Sequence, residues 1–161
     1  MIVIIMGVVG AGKTTVGNLL AAQLGWEFAD ADDFHPASNV EKIRQGTPLS
    51  DEDREPWLDR LRQAIENWIV DRKNVVLACS ALKRTYRARL CAGPEVRFVY
   101  LKGTAGLIAA RLHSRHGHFA GESILGSQLL DLEEPEQAIV IDITKSPGKI
   151  VDEIRNGLHL R

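Results

Sequence analysis

Five consecutive apolar residues, Ile2–Met6, run directly into Gly7-Val8-Val9-Gly10-Ala11-Gly12-Lys13-Thr14, and this junction constrains the chain more than any other segment. The eight residues satisfy G-x-x-x-x-G-K-[ST], with a buried-strand pattern before them and a helical pattern after. Glycines let the backbone curl so that successive N–H groups converge on phosphate oxygens, and the following helix adds the positive end of its dipole. Lys13 then reaches the β- and γ-phosphates, and the Thr14 hydroxyl becomes a ligand for Mg²⁺. A strand, this loop and a helix in series describe a nucleoside-triphosphate site.

The rest of the chain fits around that unit. Short apolar runs at 2–6, 27–29, 75–79, 96–101 and 138–141 read as strands, most with little alternation, as expected where both faces are covered. Helical patterns lie between them, at 13–24 (closed by Gly25), 38–46, from about Pro56 to Ile69, 83–90, 106–115, 122–132 and 147–158. Strands alternating with helices imply a mostly parallel sheet covered on both sides, with ligands beyond the carboxyl ends of the strands. Chemistry is therefore expected just after Met6, Ala29, Cys79 and Ile141. At 161 residues there is room for one domain, 1–161. Twenty basic against 21 acidic residues argue against bulk affinity for nucleic acid or anionic membrane. No apolar run approaches the ~20 residues of a membrane span, and no secretory signal is evident. Cys79 and Cys91 lack metal-ligand or redox spacing, so reduced thiols in a cytoplasmic protein are expected.

A phosphate loop alone is shared by switches, motors and kinases. The guanine-reading pattern N-K-x-D is absent; the nearest stretch, Thr144-Lys145-Ser146-Pro147, lacks the acid. The second strand ends in Asp30-Ala31-Asp32-Asp33-Phe34-His35-Pro36. Alternation places Asp30 and Asp32 on one side of the chain as it leaves the strand. One carboxylate can serve Mg²⁺ and the other can accept a proton from an acceptor hydroxyl, the two functions phosphoryl transfer needs. The competing reading is a solvated acidic turn.

The phosphate loop, the Asp30–Pro36 stretch, and Asn39 with Lys42 resemble the gluconate kinases. Gly46-Thr-Pro48-Leu49-Ser-Asp51-Glu-Asp53-Arg54-Glu-Pro56-Trp57-Leu58 and Ala78-Cys79-Ser80-Ala81-Leu82-Lys83 with Tyr86-Arg87 carry the resemblance further. Arg111-x-x-x-Arg115-x-x-His118-Phe119 and Ser127-Gln128-x-x-x-Leu132-Glu133 extend it to about residue 141. The family usually has Ser at the positions of Val9 and Ala11, a small departure in a loop that acts through its backbone. The resemblance implies a three-layer P-loop fold, a five-stranded parallel sheet in the order 2-3-1-4-5, and a mobile lid at about 111–128. It further implies ATP-dependent phosphorylation of D-gluconate to 6-phosphogluconate with Mg²⁺, in a homodimer. The nucleotide would contact Gly7, Val8, Val9, Gly10, Ala11, Gly12, Lys13, Thr14, Thr15, Arg111 and Arg115. Thr14 and Asp30 would hold the metal, and Asp32, Lys13 and Arg115 would carry catalysis. The order of the two acids follows shikimate kinase, where the second of a like pair meets the acceptor hydroxyl. Substrate contacts would come from Asp32, His35, Lys42, Arg54, Ser80, Lys83, His118 and Gln128.

Several of these residues have two readings from chemistry alone. Arg54 offers a two-point grip on a sugar-acid carboxylate, or sits in a salt-bridge cluster at the start of a helix. Asp51 and Asp53 are either caps of that helix or substrate contacts, and His35 is either a ligand or a turn residue before Pro36. Cys79 reads as a small buried hydrophobe, and Arg87 and Arg89 as helix-surface charges. His113, His116 and His118 have no partner cluster that would complete a zinc site, so this segment reads as a basic lid, with Arg115 as an arginine finger. Rival functions are another small-molecule kinase, such as shikimate kinase, or a nucleotide switch without turnover. Against the former, the chain has no Gly-Gly pair, where that family carries a glycine triplet.

Overall fold

The computed structural model describes residues 1–115 and 119–161, and the side chains of all of these except 119–123. Five strands, β1 (Ile2–Met6), β2 (Glu27–Asp30), β3 (Val75–Ala78), β4 (Val96–Lys102) and β5 (Ile139–Asp142), form one sheet in the order β2-β3-β1-β4-β5. Every pairing is parallel, with Ile4 of β1 opposite Leu77 on one side and Phe98 on the other. This is the expected strand order.

All five β1 residues are buried, and their alternation divides the core. Val3 and Ile5 face one layer, with α1 (Lys13–Leu24), α5 (Ala105–Ser114), α6 (Phe119–Asp131) and α7 (Pro147–Gly157). Ile2, Ile4 and Met6 face the other, where α3 (Asp51–Val70) contributes Trp57, Leu58, Leu61 and Ile65, and α4 (Arg84–Leu90) contributes Tyr86 and Leu90. A strand with helices on both faces has no solvated side, which is why its sequence does not alternate. Among the described residues, no helix is long and apolar enough to cross a membrane.

Three differences from the sequence expectation bear on the site. First, α3 begins at Asp51 and carries Pro56 inside it. Ser50 accepts the Asp53 N–H at 3.1 Å, and Asp53 accepts the Ser50 N–H at 2.9 Å, a reciprocal cap that sets the start one turn earlier. Pro56 is the sixth residue of the helix, in its second turn, where it gives up the backbone bond to Glu52 O without ending the helix. Second, β2 stops at Asp30, and Ala31–Phe34 form a 3-10 turn, so strand alternation does not carry through to Asp32. Third, α2 (Ala37–Arg44) ends before Gly46, and α6 starts at Phe119, ahead of the expected 122.

Arg87 is also corrected. It is buried, and its guanidinium donates to the carbonyls of Ala81 (2.8 Å), Leu82 (2.9 Å) and Glu133 (2.7 Å). It thereby ties the β3–α4 connection to the chain after α6. Arg89 behaves as expected of a surface charge, paired with Glu55 and Asp59.

Candidate active site

The carboxyl ends of β1, β2 and β3 open into one cleft of about 280 Å³. Its walls come from the phosphate loop, the Asp30–His35 turn, Thr47-Pro48-Leu49, the start of α3, the end of β3, and Arg115 with the inner face of α6. The end of β5, the fourth place expected from the sheet rule, contributes none of the lining residues.

The phosphate loop is held from three sides. Gly7 N–H donates to Ser80 O at 3.3 Å, Ala11 N–H to Val8 O at 3.1 Å, and Val9 N–H to Gln128 Oε1 at 2.6 Å. Gly10 has φ +81°, and a Cβ there would lie 2.8 Å from Leu112 Cγ, so only glycine fits between the loop and α5. Lys13 folds over the loop and donates to Val8 O at 3.0 Å. Burial pushes its amine below the ordinary lysine value, while the neighbouring Asp32 carboxylate opposes that shift.

Opposite the loop stand the two acids. Asp30 accepts the Thr14 hydroxyl at 3.2 Å through Oδ2 and the Asp32 N–H at 2.9 Å through Oδ1. The 3-10 turn, capped in this way by Asp30, turns the second carboxyl into the cleft. Burial, reinforced by Asp30, pushes Asp32 above the ordinary carboxylate value, and Lys13 opposes. A raised carboxyl is a stronger base in its ionised form. The Thr14 hydroxyl and the Asp30 carboxylate form a hard oxygen pair suited to Mg²⁺, which characteristically takes one or two carboxylates plus substrate phosphates. Among the described residues, no cluster of three or more His, Cys, Asp or Glu forms a self-sufficient metal site.

On the far wall, His35 stacks on Trp57 with centroids 4.5 Å apart and planes 11° from parallel, and Trp57 Nε1 donates to Ala31 O at 2.7 Å. Burial and Arg54 lower the His35 pKa to about 4, so the ring is neutral near pH 7. The Asn39 amide nitrogen donates to Asp53 O at 2.7 Å and lies 3.2 Å from His35 Nδ1. An amide N–H facing Nδ1 leaves the His35 proton on Nε2, making that atom a donor. Arg54, 8% exposed, lines the same wall. Its Nη1 donates to Tyr86 Oη at 2.8 Å and to Asp131 Oδ2 at 3.1 Å.

Of the residues singled out from sequence, the cleft brings together Val9, Gly10, Gly12, Lys13, Thr14, Thr15, Asp30, Asp32, His35, Arg54, Ser80, Arg115 and Gln128. Gly7, Val8 and Ala11 are not lining residues, and the Val8 and Ala11 side chains are buried. Lys42 and Lys83 are not brought into the cleft: Lys42 pairs with Asp53 at 2.8 Å and Lys83 with Asp51 at 2.8 Å. Arg111 turns toward β5 and donates to Ile143 O at 2.6 Å. His118 lies outside the described residues. Cys79 is buried at the cleft floor, its thiol pushed up to about 12 by burial, consistent with a small hydrophobe. Asp53 caps α3, while Asp51 accepts from Lys83 and the Tyr86 hydroxyl. Sequence reasoning missed Asp131, which falls at an unspecified position within the Ser127–Glu133 stretch.

A family model described as shikimate kinase matches residues 9–156. A probable gluconokinase of Xenopus tropicalis is 46% identical, covering 96% of this chain and 91% of the relative. The thermosensitive gluconokinase of Escherichia coli K12 is 44% identical, over 96% of this chain and 86% of its own. Among solved structures, a gluconokinase from Sinorhizobium meliloti 1021 superposes with a TM-score of 0.86 at 40% identity, covering 98% of this chain and 90% of its own. Shikimate kinase from Aquifex aeolicus, at 17% identity and a TM-score of 0.59 over 99% of this chain and 96% of its own, shares the fold alone. The chain belongs to the gluconokinases, within the shikimate kinase-like family of P-loop kinases.

Proposed function

We propose that the protein transfers the γ-phosphoryl group of ATP to a terminal hydroxyl of D-gluconate, giving 6-phospho-D-gluconate and ADP. The observation that carries this reading is a single cleft that joins a phosphate loop and Lys13 to a raised carboxyl, Asp32, and to a buried guanidinium, Arg54. In the reaction, the hydroxyl oxygen forms a bond to phosphorus as the bond to the β–γ bridging oxygen breaks. The hydroxyl proton passes to Asp32. Lys13 and the loop amides meet the charge on the phosphates. Arg54 takes the carboxylate at the other end of the sugar acid, and His35 offers its Nε2–H to a hydroxyl between them. Thr14 and Asp30 would hold Mg²⁺, which when bound offsets phosphate charge.

In this reading segment 111–128 is the lid of one kinase domain, 1–161. Support comes from Arg115, which lines the cleft at one end of the segment, and from Gln128, bonded to the phosphate loop at the other. Arg115 would meet charge on the moving phosphoryl, and closure would exclude water as a competing acceptor. Two free cysteines fit a reducing compartment, the cytoplasm, and sedimentation tests the homodimer that the family suggests. The test of function is ADP release by the purified protein with ATP and Mg²⁺, on a panel of gluconate, other aldonates, shikimate and nucleoside monophosphates. Selective turnover of gluconate is expected. Release that is independent of the acceptor would point to a nucleotide switch, and preference for shikimate would overturn the reading.

A further inference from the structure

Arg54 is the part of the cleft whose surroundings cannot be read from any one segment. Its guanidinium is met by α4 on one side, through Tyr86, and by α6 on the other, through Asp131. Both contacts are made by the same nitrogen, Nη1, whose two protons are thereby committed. Tyr86 is itself fixed: its hydroxyl donates to Asp51 Oδ1 while its oxygen accepts from Arg54. Lys83 holds the same Asp51 oxygen at 2.8 Å and approaches Asp131 at 3.9 Å. The four charges, Arg54, Lys83, Asp51 and Asp131, cancel. Such a cluster adds little positive potential to the cleft, and its effect is to fix direction.

We propose that Tyr86 and Asp131 are positioning residues for sugar-acid recognition. They hold Nη1 of Arg54 so that the Nη2 and Nε edge faces the cleft, where it can take a carboxylate at two points. This inference rests on the reading of Arg54 as the carboxylate site. A guanidinium held along one edge loses less freedom when the other edge binds, and a flat two-point contact tolerates little rotation. The opposite view makes Asp131 an internal competitor that occupies Arg54 until substrate displaces it. The two views predict opposite signs.

The experiment measures Michaelis constants for gluconate and for ATP separately in Tyr86→Phe, Asp131→Ala, Asp131→Asn and Arg54→Lys, with thermal unfolding followed by circular dichroism. Positioning predicts that Tyr86→Phe and Asp131→Ala each raise the gluconate constant about tenfold and leave the ATP constant within about twofold. Asp131→Asn keeps an acceptor oxygen without the charge, so it should recover part of the loss. It also serves if the alanine variant does not fold. A gluconate constant that falls in the Asp131 variants would overturn the proposal in favour of the competitor. ATP and gluconate constants rising together would assign both residues to general structure. If Arg54→Lys leaves gluconate unaffected, the carboxylate reading itself fails. If Arg54→Lys impairs gluconate while the other variants do not, only the positioning claim falls.

Discussion

The two halves of the cleft are built by different means. On the proposed reading the nucleotide half is one continuous segment, Gly7 to Thr15, that meets phosphate mainly through backbone N–H groups at the start of α1. The sugar-acid half, on the same reading, is a mosaic: His35 from a turn, stacked on Trp57, and Arg54 from α3, joined by side-chain hydrogen bonds to Tyr86 of α4 and to Asp131 of α6, 77 positions away. A backbone site tolerates side-chain drift, as Val9 and Ala11 illustrate, because amides do not depend on what their residues carry. A mosaic site has no such tolerance. If each side chain is placed by another, as proposed for Arg54, specificity is spread over residues beyond those that touch substrate.

The sharpest way to break this contrast lies on the nucleotide side. On the proposed reading Lys13 is the charged side chain of that segment, so Lys13→Ala should reduce turnover about a thousandfold with the circular dichroism spectrum preserved. Near-normal turnover would show that backbone groups suffice without it. Asp32 stands between the halves. Asp32→Asn should lower kcat about a hundredfold with both substrates still bound, measured by a coupled ADP assay. Because burial raises the Asp32 carboxyl, its basic form is lost as pH falls through a value above the ordinary carboxylate range. The wild-type rate should therefore drop on the acid side at a higher pH than an unperturbed aspartate would give, and that limb should disappear in Asp32→Asn. Asp30→Asn should instead raise the Mg²⁺ requirement and be partly rescued by added metal. Rescue of the Asp32 variant and not of the Asp30 variant would exchange the two roles.

The legibility of each half followed its construction. The sheet order, β1 and the loop could be read from Ile2 to Thr14 and from the family resemblance, because a buried strand, a glycine-rich turn and a helix are all local patterns. Asp30 and Asp32 are legible in the sequence, but strand alternation accounts only for Asp30. Alternation ends at Asp30, and the hydrogen bond from Asp32 N–H to Asp30, not a strand face, brings the second acid into the cleft. The start of α3 was written in Ser50-Asp-Glu-Asp53, and Pro56 obscured it. Lys42 and Lys83 carry the right charge for an anionic substrate, but the sequence does not show that Asp53 and Asp51 lie within 3 Å of them. Arg87 reads as a surface charge in sequence because the Glu133 carbonyl joins those of Ala81 and Leu82 around it only after folding. Asp131 had no local signal, since its partner lies 77 residues away.

The smallest expected effect sharpens the description of the mosaic wall. His35 titrates at about 4 in the folded protein against an ordinary value of 6.5. Between those values the unfolded chain binds the proton that the folded chain refuses, so stability contributed above pH 6.5 is lost as pH falls toward 4. His35→Gln should flatten that slope in urea-melt midpoints taken across the window. An unchanged slope would show that the stacked ring on Trp57 is protonated as readily as a free histidine.

The central claim, that one cleft holds two separately constructed half-sites, is tested most directly by calorimetric titration of a non-hydrolysable ATP analogue and of gluconate into wild type, Lys13→Ala and Arg54→Lys. The account predicts a crossed result: Lys13→Ala weakens the nucleotide and spares gluconate, whereas Arg54→Lys weakens gluconate about tenfold and spares the nucleotide. Loss of both ligands in either variant, or the reverse pairing, would contradict it.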